Sequence, residues 1–270
     1  MAKINFDTRL KTELAIENRK IKQPQRRHIG ASAIGAPCAR AIWYSFHWAS
    51  ERTITPRQAR LFSRGHREEP IVIKDLEDIG VKILTRQESV KFCNGHAGGS
   101  SDGRIIGIPD APKTEHLLEI KTASKKRFEA LLSCNSYQKW SQGYYDQIQI
   151  YMNKFRLVRA LVIVVCKDDD RRYYERIKYD KNRAELLLNK FWSIIEAKQP
   201  PHKNGNSPSE WPCIFCDHQE TCWYGKPIKN CRTCIHLEPI ENGKWKCQRK
   251  RKNIKHKKQK KACSHYQANC

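Results

Sequence analysis

Two acidic residues and a lysine carry the most legible chemistry in this chain. Glu119 and Lys121 stand two apart in Leu117-Leu118-Glu119-Ile120-Lys121, so on a strand both point to one face. Asp102 comes earlier, in Gly98-Gly99-Ser100-Ser101-Asp102-Gly103. If the two stretches are neighbouring strands, two carboxylates and an ammonium converge at one strand end. Hard carboxylate oxygens there suit Mg²⁺ or Mn²⁺. Such a site meets the needs of phosphodiester hydrolysis: an acidified water, a polarised phosphoryl oxygen and a steadied leaving oxygen. Lys121 would orient the nucleophile and offset charge developing on the phosphate. Glu-x-Lys alone is a common triplet and reads as a surface ion pair. The apolar Leu117-Leu118 before it makes the strand half-buried, and charges at the end of such a strand need a reason.

The elements that must position these residues follow from periodicity. Ala41 to Trp48 reads as a short apolar helix. A second helix covers Thr55 to Asp78, with Leu61, Phe62, Ile71 and Leu76 as its expected buried positions. Val81 to Phe92 alternates like a strand, Asn94-Gly95 marks a hairpin turn, and Gly99 to Ile108 returns. Leu117 to Lys121 is a third strand. Helical patterns follow at Ser124–Ser133 and Lys139–Lys154. The run Ala160 to Cys166 reads as a buried strand. Tyr173–Tyr179 is an edge strand and Asp180–Lys198 an amphipathic helix ended by Pro200-Pro201. This order predicts an α/β fold with a central mixed sheet flanked by helices. The expected division is a basic arm or helix over 1–30, one α/β domain over 31–226, and a small Cys-rich, strongly basic tail over 227–270.

Composition narrows the partners. Lys and Arg number 52 against 28 acidic residues, a net charge of +24, and such a field favours polyanions, nucleic acid above all. No run approaches the roughly 20 apolar residues of a membrane span, and the first residues lack an apolar signal-peptide core. A cytoplasmic protein with no membrane partner is expected. In the tail, Arg249-Lys250-Arg251-Lys252, Lys255, Lys257-Lys258 and Lys260-Lys261 run without an acid. Composition alone also allows a nuclear localisation signal, but a DNA-tracking arm through Lys250, Arg251, Lys257 and Lys258 fits the proposed chemistry better. Contacts of that kind grip phosphates, so weak sequence preference and steep salt dependence are expected.

Of 12 cysteines, eight lie from Cys213 onward. In a reducing compartment clustered cysteines point to metal rather than disulfides. Cys213-x-x-Cys216-x5-Cys222, with the solitary Cys38 far upstream, supplies four thiolates, which suit an iron–sulfur cluster or zinc; spacing alone does not choose. Cys231-x-x-Cys234, Cys247 and Cys263 form a second group that reads as a structural zinc site, with His236, His256, His265 or Cys270 able to replace one ligand. Cys93, Cys134 and Cys166 have no partners by spacing.

Gly99-x-x-Asp102 followed by Glu119-Ile120-Lys121 resembles the RecB-like branch of the PD-(D/E)XK nucleases. Arg64-Gly65-His66-Arg67-Glu68-Glu69 upstream and Gln147-x-x-x-Tyr151 downstream resemble two further motifs of that branch, in the expected order. The resemblance spans about residues 31–225 and is strongest to phage recombination exonucleases and CRISPR-associated RecB-like exonucleases. Ser101 stands where the family name has Pro. The resemblance implies a restriction-endonuclease-like core and a metal-dependent deoxyribonuclease, an exonuclease working in phage or prokaryotic recombination or repair, beside a single-strand annealing or recombination protein. It implies host cytoplasm for a phage-encoded chain. It also implies His66, Asp102, Glu119 and the Ile120 carbonyl as metal ligands, Glu69 as their support, and Gln147 and Tyr151 as contacts to DNA phosphate or to Lys121. Finally, it implies a 4Fe–4S cluster on Cys38, Cys213, Cys216 and Cys222. A structure-selective or nicking endonuclease, or a non-catalytic DNA-binding protein, are the competing readings.

Overall fold

The computed structural model describes residues 6–269, leaving Cys270 and the first five residues of the basic arm outside the description. In chain order the elements are helix α1 (Phe6–Glu17), strands β1 (Ile21–Lys22) and β2 (Ile29–Gly30), α2 (Ala39–His47), β3 (Thr53–Ile54), α3 (Pro56–Asp78), β4 (Lys82–Phe92), β5 (Ala97–Ile106), β6 (His116–Ala123), α4 (Lys125–Cys134), α5 (Tyr137–Trp140), α6 (Gln142–Phe155), β7 (Arg159–Cys166), β8 (Arg172–Lys178), α7 (Lys181–Glu196), α8 (Gln219–Tyr224), β9 (Leu237–Ile240), β10 (Lys244–Cys247), β11 (Lys252–Asn253) and α9 (His256–Gln259). Local chemistry sets several boundaries. Thr55 and Gln58 form a reciprocal capping box ahead of Pro56, fixing the start of α3. Asp180 accepts the Arg183 amide to start α7.

The central sheet is mixed. β5 pairs antiparallel with β4 and β6, β6 pairs parallel with β7, and β7 pairs antiparallel with β8. The α4–α6 segment forms the crossover that a parallel β6–β7 pair requires. Alternation along β6 and β7 sends Leu117, Ala123, Ala160, Val162 and Val164 into a core with α2, α6 and α7. Leu118, Ile120, Leu161, Ile163 and Val165 face a smaller core beneath α3. Helices therefore flank both sheet faces, as the element order predicted.

Two expectations about helices are corrected. Of the four expected buried positions of α3 only Leu76 is buried; Leu61, Phe62 and Ile71 are exposed, and Pro56, Val72 and Ile73 are buried instead. The buried apolar contacts of this 23-residue helix with the sheet come from its C-terminal part. The expected continuous helix from Lys139 to Lys154 is broken at Ser141, whose backbone is extended. Gly143, just beyond the break, packs backbone to backbone on Gly35, where a Cβ on Gly35 would strike the Gly143 main chain. That contact draws the N-terminal turn against α6.

The C-terminal segment joins the main core. β9, β10 and β11 form a three-stranded sheet, and Leu237 and Trp245 enter the main hydrophobic core. The Arg232 side chain is buried with them, 1% exposed. No helix among the described residues is long and apolar enough to cross a membrane.

Candidate active site

The site forms where the sheet opens. β4 runs along one edge of β5. The other edge is shared: β6 pairs there only over Gly103–Ile105, and β2 only over Ala97–Gly98. Gly99 to Asp102 thus lack a ladder partner on that edge. The Gly103–Leu118 register would next set Asp102 opposite Glu119. Instead the Asp102 carboxylate takes over, accepting the Ile120 amide at 2.7 Å. Glu119 and Lys121 project from the same face of β6, as their spacing requires, and form an ion pair. α3 crosses the end of β6 at Gly65, close to Thr122. This brings in His66 and Glu69, paired at 3.5 Å; Glu69 also accepts from Gln87 at 2.9 Å. From α6, Gln147 donates to the Tyr151 hydroxyl at 3.5 Å, and both are buried. The Tyr151 hydroxyl packs over Gly99 so closely that a Cβ there would collide with it. Glycine at 99 is thus a requirement of close approach.

The electrostatics follow from burial. Desolvation, then the neighbouring Asp102, pushes Glu119 up to about 7, against the pull of Lys121. Burial also raises Asp102, with Lys121 and the Ile120 amide opposing. Glu69 rises through burial and through Asp102. Burial alone would lower Lys121, but Glu119 and Asp102 outweigh it and hold the ammonium well above its ordinary value. The Glu119 Oε2 atom is buried with no hydrogen-bond partner. A buried carboxylate oxygen left in that state is costly, and a cation facing it would remove the cost.

The structure thus brings Asp102, Glu119, Lys121, the Ile120 backbone, Gln147 and Tyr151 to one region. His66 sits at its rim with a 77% exposed side chain. The carboxylates of Asp102 and Glu119 and the Ile120 carbonyl are the groups that could hold a divalent ion. Among the described residues no group of three or more His, Cys, Asp or Glu side chains is drawn together closely enough to hold a metal ion.

The cysteines are no exception. Cys38, Cys213, Cys216 and Cys222 line one small cavity beneath Tyr44 and Trp223. Cys231, Cys234, Cys247 and Cys263 line another with His236 and His265. Each quartet shares a cavity without closing into a ligand shell. His256 lies apart, edge-on to Trp48. The basic tail residues Lys250, Arg251, Lys257 and Lys258 are exposed.

Sequence reading missed two features. A cavity of about 290 Å³ is lined by Arg26, Arg52, His28, Ser32 and Ser50, among others. Arg26 feels both Arg52 and Tyr151, and burial lowers its pKa. Nothing in Gln25-Arg26-Arg27-His28 marked it out from an ordinary basic arm. The second is the aromatic group Tyr137, Trp140 and Tyr144, next to Lys121. Its helical spacing reads as core.

No family model matches this sequence, and no curated protein is significantly similar to it. Similar solved structures include an alkaline exonuclease from Laribacter hongkongensis, 15% identical, with a TM-score of 0.48 over 63% of this chain and 87% of that one. The same enzyme in complex with dAMP gives a TM-score of 0.48 at 15% identity, over 62% and 86%. A protein designated SSO0001 gives 0.44 at 15% identity, over 79% of this chain and 94% of that one.

Proposed function

We propose that this chain is a metal-dependent nuclease that hydrolyses DNA phosphodiester bonds, and that it works as an exonuclease on DNA ends in recombination or repair. The observation that carries the reading is the buried, partnerless Glu119 Oε2 beside Asp102 and Lys121 at the opening between β5 and β6. Asp102, Glu119 and the Ile120 carbonyl would hold Mg²⁺ or Mn²⁺, with His66 closing in from the rim. When bound, that ion supplies an acidified water and positive charge at the phosphoryl oxygen. Lys121 holds its ammonium against Glu119 and presents it to the attacked phosphate, where it offsets developing charge. Gln147 and Tyr151 brace this face of β6 and offer a hydroxyl and an amide to the strand. The Arg26–Arg52 cavity beside Tyr151 accepts a backbone phosphate, and the exposed tail lysines add sequence-independent grip.

The test is digestion of end-labelled linear DNA, circular single-stranded DNA and supercoiled DNA with Mn²⁺. Linear substrates should shorten from their ends while both circular forms persist. Cutting of the circles would make the enzyme an endonuclease. No cutting of any substrate with Mg²⁺ or Mn²⁺ would leave a DNA-binding protein.

The two thiol quartets belong to the same proposal. Cys38, Cys213, Cys216 and Cys222 would hold a 4Fe–4S cluster that ties the segment after α7 to α2. Cys231, Cys234, Cys247 and Cys263 would hold zinc. Both are all-sulfur donor sets gathered on one cavity each, which is the chemistry such groups need. Anaerobically purified protein should contain iron and acid-labile sulfide together with about one zinc per chain. Zinc alone would remove the cluster, and absence of both metals would remove both assignments.

A further inference from the structure

Lys121 has a second neighbour besides Glu119. Its ammonium stands 5.1 Å from the centre of the Tyr144 ring. Tyr144 continues into Trp140, with centroids 5.8 Å apart, and stacks on Tyr137 at 6.3 Å. The Arg127 guanidinium covers the Trp140 ring at 4.7 Å and reaches toward Tyr144 at 6.0 Å. This is a ladder of flat groups that starts in the core, where Tyr137 is fully buried, and passes through half-buried Tyr144 and Trp140 to exposed Arg127. The indole is locked in place, because its Nε1–H donates to the Arg127 carbonyl at 2.8 Å.

Hydrolysis needs none of these rings; Tyr144 and Trp140 pack against the core on one side, but packing does not account for the exposed Arg127 guanidinium laid over the indole. An exposed guanidinium resting on an indole, one aromatic away from the phosphate-facing lysine, matches what nucleobases stack on: aromatic faces and guanidinium planes. The surrounding charge agrees. α4 opens with Lys125-Lys126-Arg127, all exposed and with no acid among them, which draws the backbone of a strand to this edge.

We propose that Arg127 and Trp140 form a nucleobase subsite, stacking the base next to the phosphate that Lys121 faces and fixing the register of the strand in the cleft. The proposal rests on DNA being the ligand of the Asp102–Glu119–Lys121 site. Stacking is indifferent to base identity, so the subsite reads the presence of a base and not its sequence.

The test walks a single abasic residue along a short single-stranded oligonucleotide. Binding is measured by fluorescence anisotropy with no Mg²⁺ or Mn²⁺ added, so that cleavage plays no part. The full-length wild-type chain should lose about tenfold in affinity at one abasic position and little at the others. Arg127→Lys keeps the charge but loses the plane, and Trp140→Leu loses the ring. Both should bind the intact strand about tenfold more weakly and no longer notice the abasic position, while Trp140→Phe should recover most of the discrimination. Arg127 is exposed, so the lysine variant keeps its fold, as a thermal melt would check. Variants that keep the wild-type abasic penalty, or a wild type with no position-dependent penalty, would overturn the subsite. Wild type that shows the penalty yet cuts no DNA with Mg²⁺ or Mn²⁺ would sink the nuclease reading and leave the subsite standing.

Discussion

Glu119→Gln should lower DNA cleavage by ~10³-fold or more while leaving affinity for DNA within a few fold of wild type. The substitution is isosteric and removes one charge. It takes away the buried oxygen that has no partner and the counter-charge that holds Lys121. Glu119 is pushed up to about 7 by burial, so a neutral side chain is tolerated there, and Asp102 still holds the Lys121 ammonium, so the fold should survive. Lys121→Ala is the companion variant and should be equally inactive, but less stable. It strands Glu119 without its partner, and breaking a buried pair is strongly destabilising. Part of that loss is relieved because Glu119, already raised, takes up a proton. Product release from end-labelled DNA and urea unfolding, measured on both variants, separate the two effects. A Glu119→Gln protein that still cleaves at a tenth of the wild-type rate would remove this carboxylate from the chemistry.

The meeting of Asp102, Glu119 and Lys121 could be foreseen because it depends on the two-residue period of a strand and on hairpin order, both of which are local. The same locality made β4, β6, β7 and α7 legible to within a few residues. Helical period was a poorer guide to α3. It says which residues share a face, but not which part of a long helix makes apolar contact with the sheet, so Leu61 and Phe62 read as core and lie exposed. The close packing of Gly143, just past the break at Ser141, on Gly35 joins residues about a hundred positions apart, and no window of sequence contains both. Trp140 and Tyr144 were hidden for a related reason. At helical spacing they look like any buried stripe, and only the fold places them between a lysine at the site and an arginine at the surface. The docking of the tail was not legible from composition. Its few apolar residues are too few for a core of their own, yet Leu237 and Trp245 need none, because they complete the core of the preceding domain.

Arg232→Ala should destabilise the protein by about 3–5 kcal/mol and loosen the C-terminal segment first. Among basic residues so numerous, nothing in sequence distinguishes Arg232, yet it is the pin of that segment. Its guanidinium sits 3.8 Å from the Trp48 ring centre and 4.5 Å from that of Trp245. It donates to the Phe46 carbonyl at 2.8 Å, the Arg27 carbonyl at 3.1 Å and Gln259 Oε1 at 2.9 Å. No carboxylate among the described residues pairs with it, and burial, then Arg27, brings its pKa down to about 9. The charge is therefore carried by ring faces and carbonyl dipoles, an arrangement that works only while the cage is closed. Alanine leaves a cavity between two tryptophans, and the buried Phe46 carbonyl and Gln259 Oε1 without their donor, and each is costly. Arg232→Met separates the contributions: it refills the cavity but restores no hydrogen bond, so it should recover part of the loss and no more. Hydrogen exchange should show the amides of β9, β10 and α9 losing protection well before those of β6 and β7. If Arg232→Ala melts within a degree or two of wild type, the cage does not hold the tail. The basic face carried on α9 would then have to be positioned by its cysteines alone.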